Sequence, residues 1–245
     1  DQTGVLTGTY MKQDFRKHDP YNVMIEGEAG ASYAKGKIDI RRTFSYTKKG
    51  KGIEMRFFGG AFLFDYRSIT GVSSPHRDIA LQMAGGTGDN DYLFNDVYID
   101  RAIQHTDYGN IWSHQRYWRD GGFRISHQFA ETDAWLSTVN LTAAIPNFGL
   151  ISGFLDLGTA ANYNTHSGGE TILWNMGLVL NLGLLKVNLP LAYSQTIENA
   201  ATNRVYTDPT QTGMTGWEIL TRNITFTLNI TEYNPIKLRE RILNL

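Results

Sequence analysis

Cysteine is absent from the 245 residues. Disulfide frameworks, thiolate zinc sites and cysteine nucleophiles are therefore excluded. That absence suits export through an oxidising compartment, although many cytosolic proteins share it. An excess of charge is also missing, because the formal net charge is −1. Nothing in that balance points to nucleic acid as a partner. No apolar run reaches the roughly 18 residues of a membrane-crossing helix. The nearest approach, Ile172 to Tyr193, is broken by Asn175, Asn181, Lys186, Asn188 and Pro190. The spacing of those breaks is mostly even, which is the period of a strand and not of a helix. The sequence starts at Asp1 without a charged and then apolar leader. The expectation is a removed signal peptide or the C-terminal piece of a longer chain.

Glycine, tyrosine and phenylalanine are plentiful, at 25, 13 and 12 residues, against only 6 prolines. Glycine and aromatics with polar residues between them suit long strands and their turns. Alternation then gives the pattern. Ile172, Trp174, Met176, Leu178, Leu180 and Leu182 occupy one parity, and Leu173, Asn175, Gly177, Val179 and Asn181 the other. Beyond the turn at Gly183-Leu184, Leu185, Val187, Leu189, Leu191 and Tyr193 alternate with Lys186, Asn188, Pro190, Ala192 and Ser194. Near the end, Ile224, Phe226, Leu228 and Ile230 alternate with Asn223, Thr225, Thr227 and Asn229.

These runs exceed the roughly 5–6 residues of an average globular strand and match the 9–11 of a tilted membrane strand. One face carries Leu, Ile, Trp and Phe; the other carries Asn, Thr, Ser, Lys and Gly. Such a division is that of a membrane barrel, apolar outside and polar in its lumen. Hydrocarbon also demands closure, because an unpaired amide there costs several kcal/mol. The expected fold is all-β, a transmembrane antiparallel β-barrel of about ten strands spanning residues 1–230. Candidate strands fall at about 5–15, 22–33, 37–47, 52–65, 78–85, 134–144, 148–160, 169–182, 185–196 and 217–230. An eleventh, 122–130, is assigned to a long extracellular loop over 86–133 that folds over or into the barrel.

With the C-terminus in the periplasm, 197–216, 161–168 and 86–133 are extracellular, while 183–184 and 145–147 are short periplasmic turns. The connection 67–77 is long for a periplasmic one. Trp174, Leu178, Leu180, Leu189 and Phe226 are the expected lipid-facing residues. Glu26 with Glu28, Asp39 with Arg41, and Glu54 with Arg56 share strand faces and are expected to pair across strands as a lumen charge cluster. On a lipid face the basic residues would cost about 2–4 kcal/mol each near the midplane. The competing reading is a soluble barrel or sandwich with a solvated outer face. Residues 231–245 follow the last strand. They are read either as a periplasmic helix opened by Pro235, with Ile236, Leu238, Ile242 and Leu243 as its stripe, or as a plain tail.

Candidate chemistry is thin. His18, His76, His105, His114, His127 and His166 form no His-x-x-x-His or His-Glu-x-x-His spacing, so surface histidine is the default. Asp89, Asn90, Asp91, Asp96 and Asp100 make an acidic loop, but the EF-hand pattern is missing and turn chemistry accounts for it. A Ser/His/Asp triad has its residue types but no Gly-x-Ser-x-Gly element. Asn140, Asn223 and Asn229 each open an Asn-x-Thr triplet within strand patterns and read as accidental matches. Neither a metal nor a cofactor is expected.

A more specific signal is Asp91-Tyr-Leu-Phe-Asn-Asp-Val-Tyr-Ile-Asp-Arg101, then Arg119-Asp-Gly-Gly-Phe-Arg124, then Trp135-Leu-Ser-Thr-Val-Asn-Leu-Thr142. With the ending Tyr233-Asn-Pro-Ile-Lys-Leu238, it resembles the C-terminal region of large outer-membrane proteins of Bacteroidetes. Those proteins carry a gluzincin-type metallopeptidase-like domain before a membrane barrel. The resemblance covers about residues 50–240. It implies a barrel that anchors such a domain, which would lie upstream of Asp1. The zinc motif of that family has no counterpart here, so no catalytic residue is carried over. The expected function is a non-enzymatic outer-membrane anchor and interaction module, in contact with the lipid bilayer, lipopolysaccharide and other outer-membrane proteins. Trp112, Tyr117, Trp118 and Phe123 are its expected extracellular loop contacts. A small-solute pore ranks second and a barrel-embedded hydrolase third; ten strands leave a lumen largely filled by side chains.

Overall fold

The computed structural model describes residues 5–14, 19–46, 52–65, 79–88, 91, 96–99, 111–126, 130–146, 148–161, 170–198, 221 and 223–228. Alternation becomes strand almost throughout. The elements are β1 (Leu6–Asp14), β2 (Tyr21–Ala29), β3 (Tyr33–Ser45), β4 (Gly52–Asp65), β5 (Trp135–Ala144), β6 (Ile151–Ala160), β7 (Leu173–Asn181), β8 (Leu185–Tyr193) and β9 (Thr225–Leu228). They form one nine-stranded sheet in sequence order, and every neighbouring pair is antiparallel. The chain is therefore all-β, a single up-and-down meander.

Register fixes which side chains share a face, because facing residues of an antiparallel pair point the same way. Met24 faces Asp39, Arg41 faces Arg56, Arg56 faces Asn140, and Asn140 faces Asp156. Asp156 in turn faces Asn175. One face is thus polar along its middle. Ile25 faces Ile38, Phe57 faces Val139, Leu155 faces Met176, and Leu178 faces Leu189 on the opposite face.

One expected strand is corrected. Residues 78–85 do not enter the sheet; in the described part, 79–88 is irregular and lies almost wholly buried. Its links are isolated bridges, Leu81 to Thr132, Ala84 to Phe123 and Gly86 to Tyr117. The physical reason is its composition. Leu81, Met83 and Ala84 are apolar on mixed parity and need cover on all sides, which a two-faced sheet position cannot give. As a result β4 pairs directly with β5, and 67–77 is no cross-sheet turn but the start of one connection over 66–134. Three of the four connections at one end, 66–134, 161–172 and 194–224, are long; the fourth is 30–32. At the other end they are short, 15–20, 46–51, 145–150 and 182–184. Losing a strand reverses the direction first expected for β1–β4. Both β1 and β9 now run from the long-connection end to the short-turn end.

The edges of the sheet differ. At β9, the Arg116 amide donates to the Phe226 carbonyl at 2.8 Å, the Tyr117 hydroxyl donates to the Leu228 carbonyl at 2.9 Å, and the Thr227 hydroxyl donates to the Arg116 carbonyl at 2.8 Å. At β1, nothing among the described residues covers the edge, and all but its last residue are exposed.

Candidate functional site: a plugged polar face

Two irregular segments, 79–88 and 114–126, cover the polar face of the sheet. Toward the long-connection end the contact is apolar. Leu81, Met83, Ala84, Phe123 and Ile125 pack on Phe58, Leu136, Ala160, Leu173 and Ile197. Gly158 makes room for this packing, because a Cβ there would sit 2.5 Å from the Met83 sulfur.

Beside it, along the same face, the contact is ionic. Arg56 is fully buried. Its guanidinium donates to Asp39 Oδ2 at 2.9 Å, to Asn140 Oδ1 at 3.0 Å and to the Asp120 carbonyl at 2.8 Å. Arg41 forks onto Asp39 at 3.1 and 3.0 Å. The Asn140 amide donates to the Gly121 carbonyl and to Asp156 Oδ1, both at 3.1 Å. Asp156 also accepts the Arg124 backbone amide at 3.0 Å and lies 3.5 Å from its guanidinium. Lys37 bridges Asp120 at 3.2 Å and Glu26 at 3.6 Å. Lys35 pairs with Glu28 at 3.4 Å and donates to the Ile79 carbonyl at 2.9 Å. Five acids, Glu26, Glu28, Asp39, Asp120 and Asp156, thus meet five bases, Lys35, Lys37, Arg41, Arg56 and Arg124. A buried charge stays ionised only when so compensated.

The tip of the covering segment, Arg119–Arg124, reaches this network through its backbone. Asp120 and Gly122 have φ of 44° and 65°, a turn that favours glycine and tolerates aspartate. Burial alone would raise the Asp120 carboxyl. Lys37 and Lys35 beside it outweigh that and hold it below its ordinary value. Arg119 binds Asp91 at 3.1 Å and Asp96 at 2.5 Å. Two carboxylates of the acidic loop therefore hold an arginine, and no group of three metal-type ligands occurs among the described residues. Asp89, Asn90 and Asp100 lie outside those residues, as do His18, His76, His105, His127 and His166. His114 Nδ1 is engaged by the Ile224 carbonyl at 2.9 Å. Asn140 is fully buried, so its glycosylation triplet is inaccessible.

The six residues picked from strand parity, Glu26, Glu28, Asp39, Arg41, Glu54 and Arg56, share the covered face; Glu54 sits opposite Thr43 and Thr142. The loop aromatics behave differently from expectation. Phe123 is fully buried in the apolar layer. Trp118 lies between guanidiniums, with Arg124 4.5 Å and Arg41 5.7 Å from its ring. Tyr117 is tied to the β9 edge. Only Trp112 is largely exposed, at 50%. Phe123 is thus taken up in the covered layer, whereas Tyr117 and Trp118 are half-buried. Trp174, Leu178, Leu180 and Leu189 fall on the apolar face. Phe226 does too, but Trp112 covers it edge-on at 6.2 Å.

Parity reasoning missed Lys35, Lys37, Asp120, Arg124, Asn140 and Asp156. The strand members among these were visible in principle as charged or amide residues on the polar parity; for Asp120 and Arg124 the sequence offered a loop folding over or into the barrel, but nothing local names the partners they meet there. No protein-family model, curated protein or solved structure matches this chain.

Proposed function

We propose that the sheet is the wall of a closed transmembrane β-barrel in the outer membrane of a Gram-negative cell of the Bacteroidetes. It serves there as a non-conducting anchor and interaction module, the barrel part of a larger peptidase-like protein. The observation that carries this reading is the inversion of the two faces. The uncovered face of β1–β9 holds three charged residues, Lys12, Asp14 and Arg42, all in the halves of their strands nearer the short turns, with Arg42 beside the Phe44 ring at 4.8 Å. Every other charge of those strands is on the covered face. A soluble sheet packed on one side has the opposite arrangement, with its charges in water.

Two further features support it. Eight of the strands are 9–14 residues long, enough to cross hydrocarbon at a tilt. Aromatics on the uncovered side include Tyr21 and Phe44 near the short turns and Phe64, Trp135 and Trp174 near the long connections, with Tyr10 and Phe57 between the two levels. Such girdles mark the two interfaces of a membrane barrel. The face of the sheet that would line a pore is filled by 79–88 and 114–126, which favours an anchor over a channel. The partners of this reading are the lipid bilayer, lipopolysaccharide at the long-connection end, and other outer-membrane proteins.

The test is reconstitution. The chain should require detergent, float with liposomes and give no stepwise current in planar bilayers. Solubility without detergent overturns the membrane reading; steady conductance replaces the anchor with a pore.

A further inference from the structure

We propose that two pieces of the long connection, residues 97–99 and 111–117, continue the lipid-facing wall past β9, with Val97, Ile99, Ile111 and Trp112 in contact with the acyl chains of the bilayer. The inference rests on the membrane reading and deepens it. It places within hydrocarbon a stretch that the sequence assigns to an extracellular loop.

Depth is the first argument. β9 pairs with Leu185–Asn188 of β8, the residues that leave the short turn 182–184, so Leu228 faces Leu185 and Phe226 faces Val187. The connection reaches down to that level. The Arg116 amide donates to the Phe226 carbonyl at 2.8 Å. The Tyr117 hydroxyl lies 2.9 Å from both the Leu228 and the Val97 carbonyls. Residues 97–99 therefore stand at the height of the sheet and not beyond its end.

The second argument is how 97–99 is joined to the wall. Gln115 is buried and turns its side-chain amide to this segment. Its Nε2 donates to the Val97 carbonyl at 2.7 Å, and its Oε1 accepts the Ile99 amide at 2.9 Å. A parallel neighbouring strand engages a carbonyl and the amide two residues on in the same way. One glutamine thus takes the place of a strand's peptide and satisfies two backbone groups that hydrocarbon would penalise.

The third argument is which side chains face out. Tyr98 is buried, edge-on to the Tyr117 ring at 5.0 Å, while Val97 and Ile99 on either side of it are 57% and 52% exposed. That alternation is the parity of a wall strand. Trp112 lies on the outer side as well, since the Phe226 ring that it meets belongs with Val187 and Leu180 to the uncovered face. Ile111 beside it is exposed, whereas His114, Gln115 and Arg116 are buried. A loop in water has the reverse arrangement, its polar groups outside. The inversion seen across the sheet is thus repeated on the connection next to it.

The experiment reads lipid contact directly. Val97→Cys, Ile99→Cys and Ile111→Cys, each in the chain that has no other cysteine, carry a nitroxide label in liposomes. Leu178→Cys on the uncovered face of β7 is the lipid reference. Relaxation by oxygen, which concentrates in hydrocarbon, is compared with relaxation by a water-soluble nickel chelate. The result expected is oxygen outweighing nickel several-fold at all three positions, as at Leu178. Nickel outweighing oxygen at Val97 and Ile99 while oxygen prevails at Leu178 overturns this inference and leaves the membrane reading standing. So does a label that neither reagent reaches, because protein and not lipid then covers the segment. Nickel prevailing at Leu178 too overturns both.

Discussion

Strands β1 and β4 are written in the same alternating script and end in opposite states. In β4, Arg56 and Phe58 on the polar parity are buried beneath the 114–126 and 79–88 segments. In β1, Thr7, Thr9 and Met11 on the same parity are exposed. The difference does not lie in propensity, since both are full strands. It lies in what stands next to them. Burial in this sheet belongs to the cover and the neighbour, and a strand lacking either keeps its geometry but not its environment.

The largest expected effect sets the two strands against each other. Arg56→Ala leaves Asp39 without its buried guanidinium partner and frees the Asp120 carbonyl. A cost of about 3–5 kcal/mol is expected, measured by denaturant unfolding in detergent. Thr9→Ala in β1 should stay within about 0.5 kcal/mol. Equal losses would erase the contrast.

Next comes the contrast of the two faces. Leu178→Arg places a charge in the middle of the apolar side of β7, opposite Leu189. In a bilayer this should cost about 2–4 kcal/mol. A loss near zero would mean that water, not lipid, bathes that face.

A smaller effect probes the cover itself. Gly158→Ala drives a methyl against Met83 and should cost about 1–3 kcal/mol by overpacking. Met83→Ala in the same chain should recover part of it. Additive losses would show that the 79–88 segment does not press on β6.

The smallest effect lies outside the sheet. Glu170 is held below its ordinary value of 4.5, first by the Thr196 hydroxyl and then by backbone amides. The Thr196 and Gln195 amides donate to it at 2.9 and 3.3 Å. A lowered carboxylate contributes above its ordinary value, and that contribution is lost as pH falls through the folded value. Protection of the Gln195 and Thr196 amides, relative to their intrinsic exchange at each pH, should therefore fall in acid below that range. Glu170→Gln should remove the dependence; a variant that still loses protection there would place the titration elsewhere.

The sequence was legible where one period governs. Strands β7 and β8 were marked by alternation alone, and strand parity placed Glu26, Asp39, Arg41 and Arg56 on one face. It misled at 78–85, where a short apolar run reads equally as strand or as buried coil. It placed Asp120 and Arg124 in a loop expected to fold over or into the barrel but did not give their partners, which are fixed across a long sequence separation.

By itself, then, the sequence determined an all-β chain with long strands, an apolar parity and a polar one, since side-chain direction follows from position along the strand. Only the tertiary structure decided that the polar face is filled by 79–88 and 114–126, that β4 pairs with β5, and that β1 is left with one neighbour. Those outcomes depend on which distant groups meet, and a buried arginine such as Arg56 accepts its place only when Asp39, Asn140 and the Asp120 carbonyl arrive together.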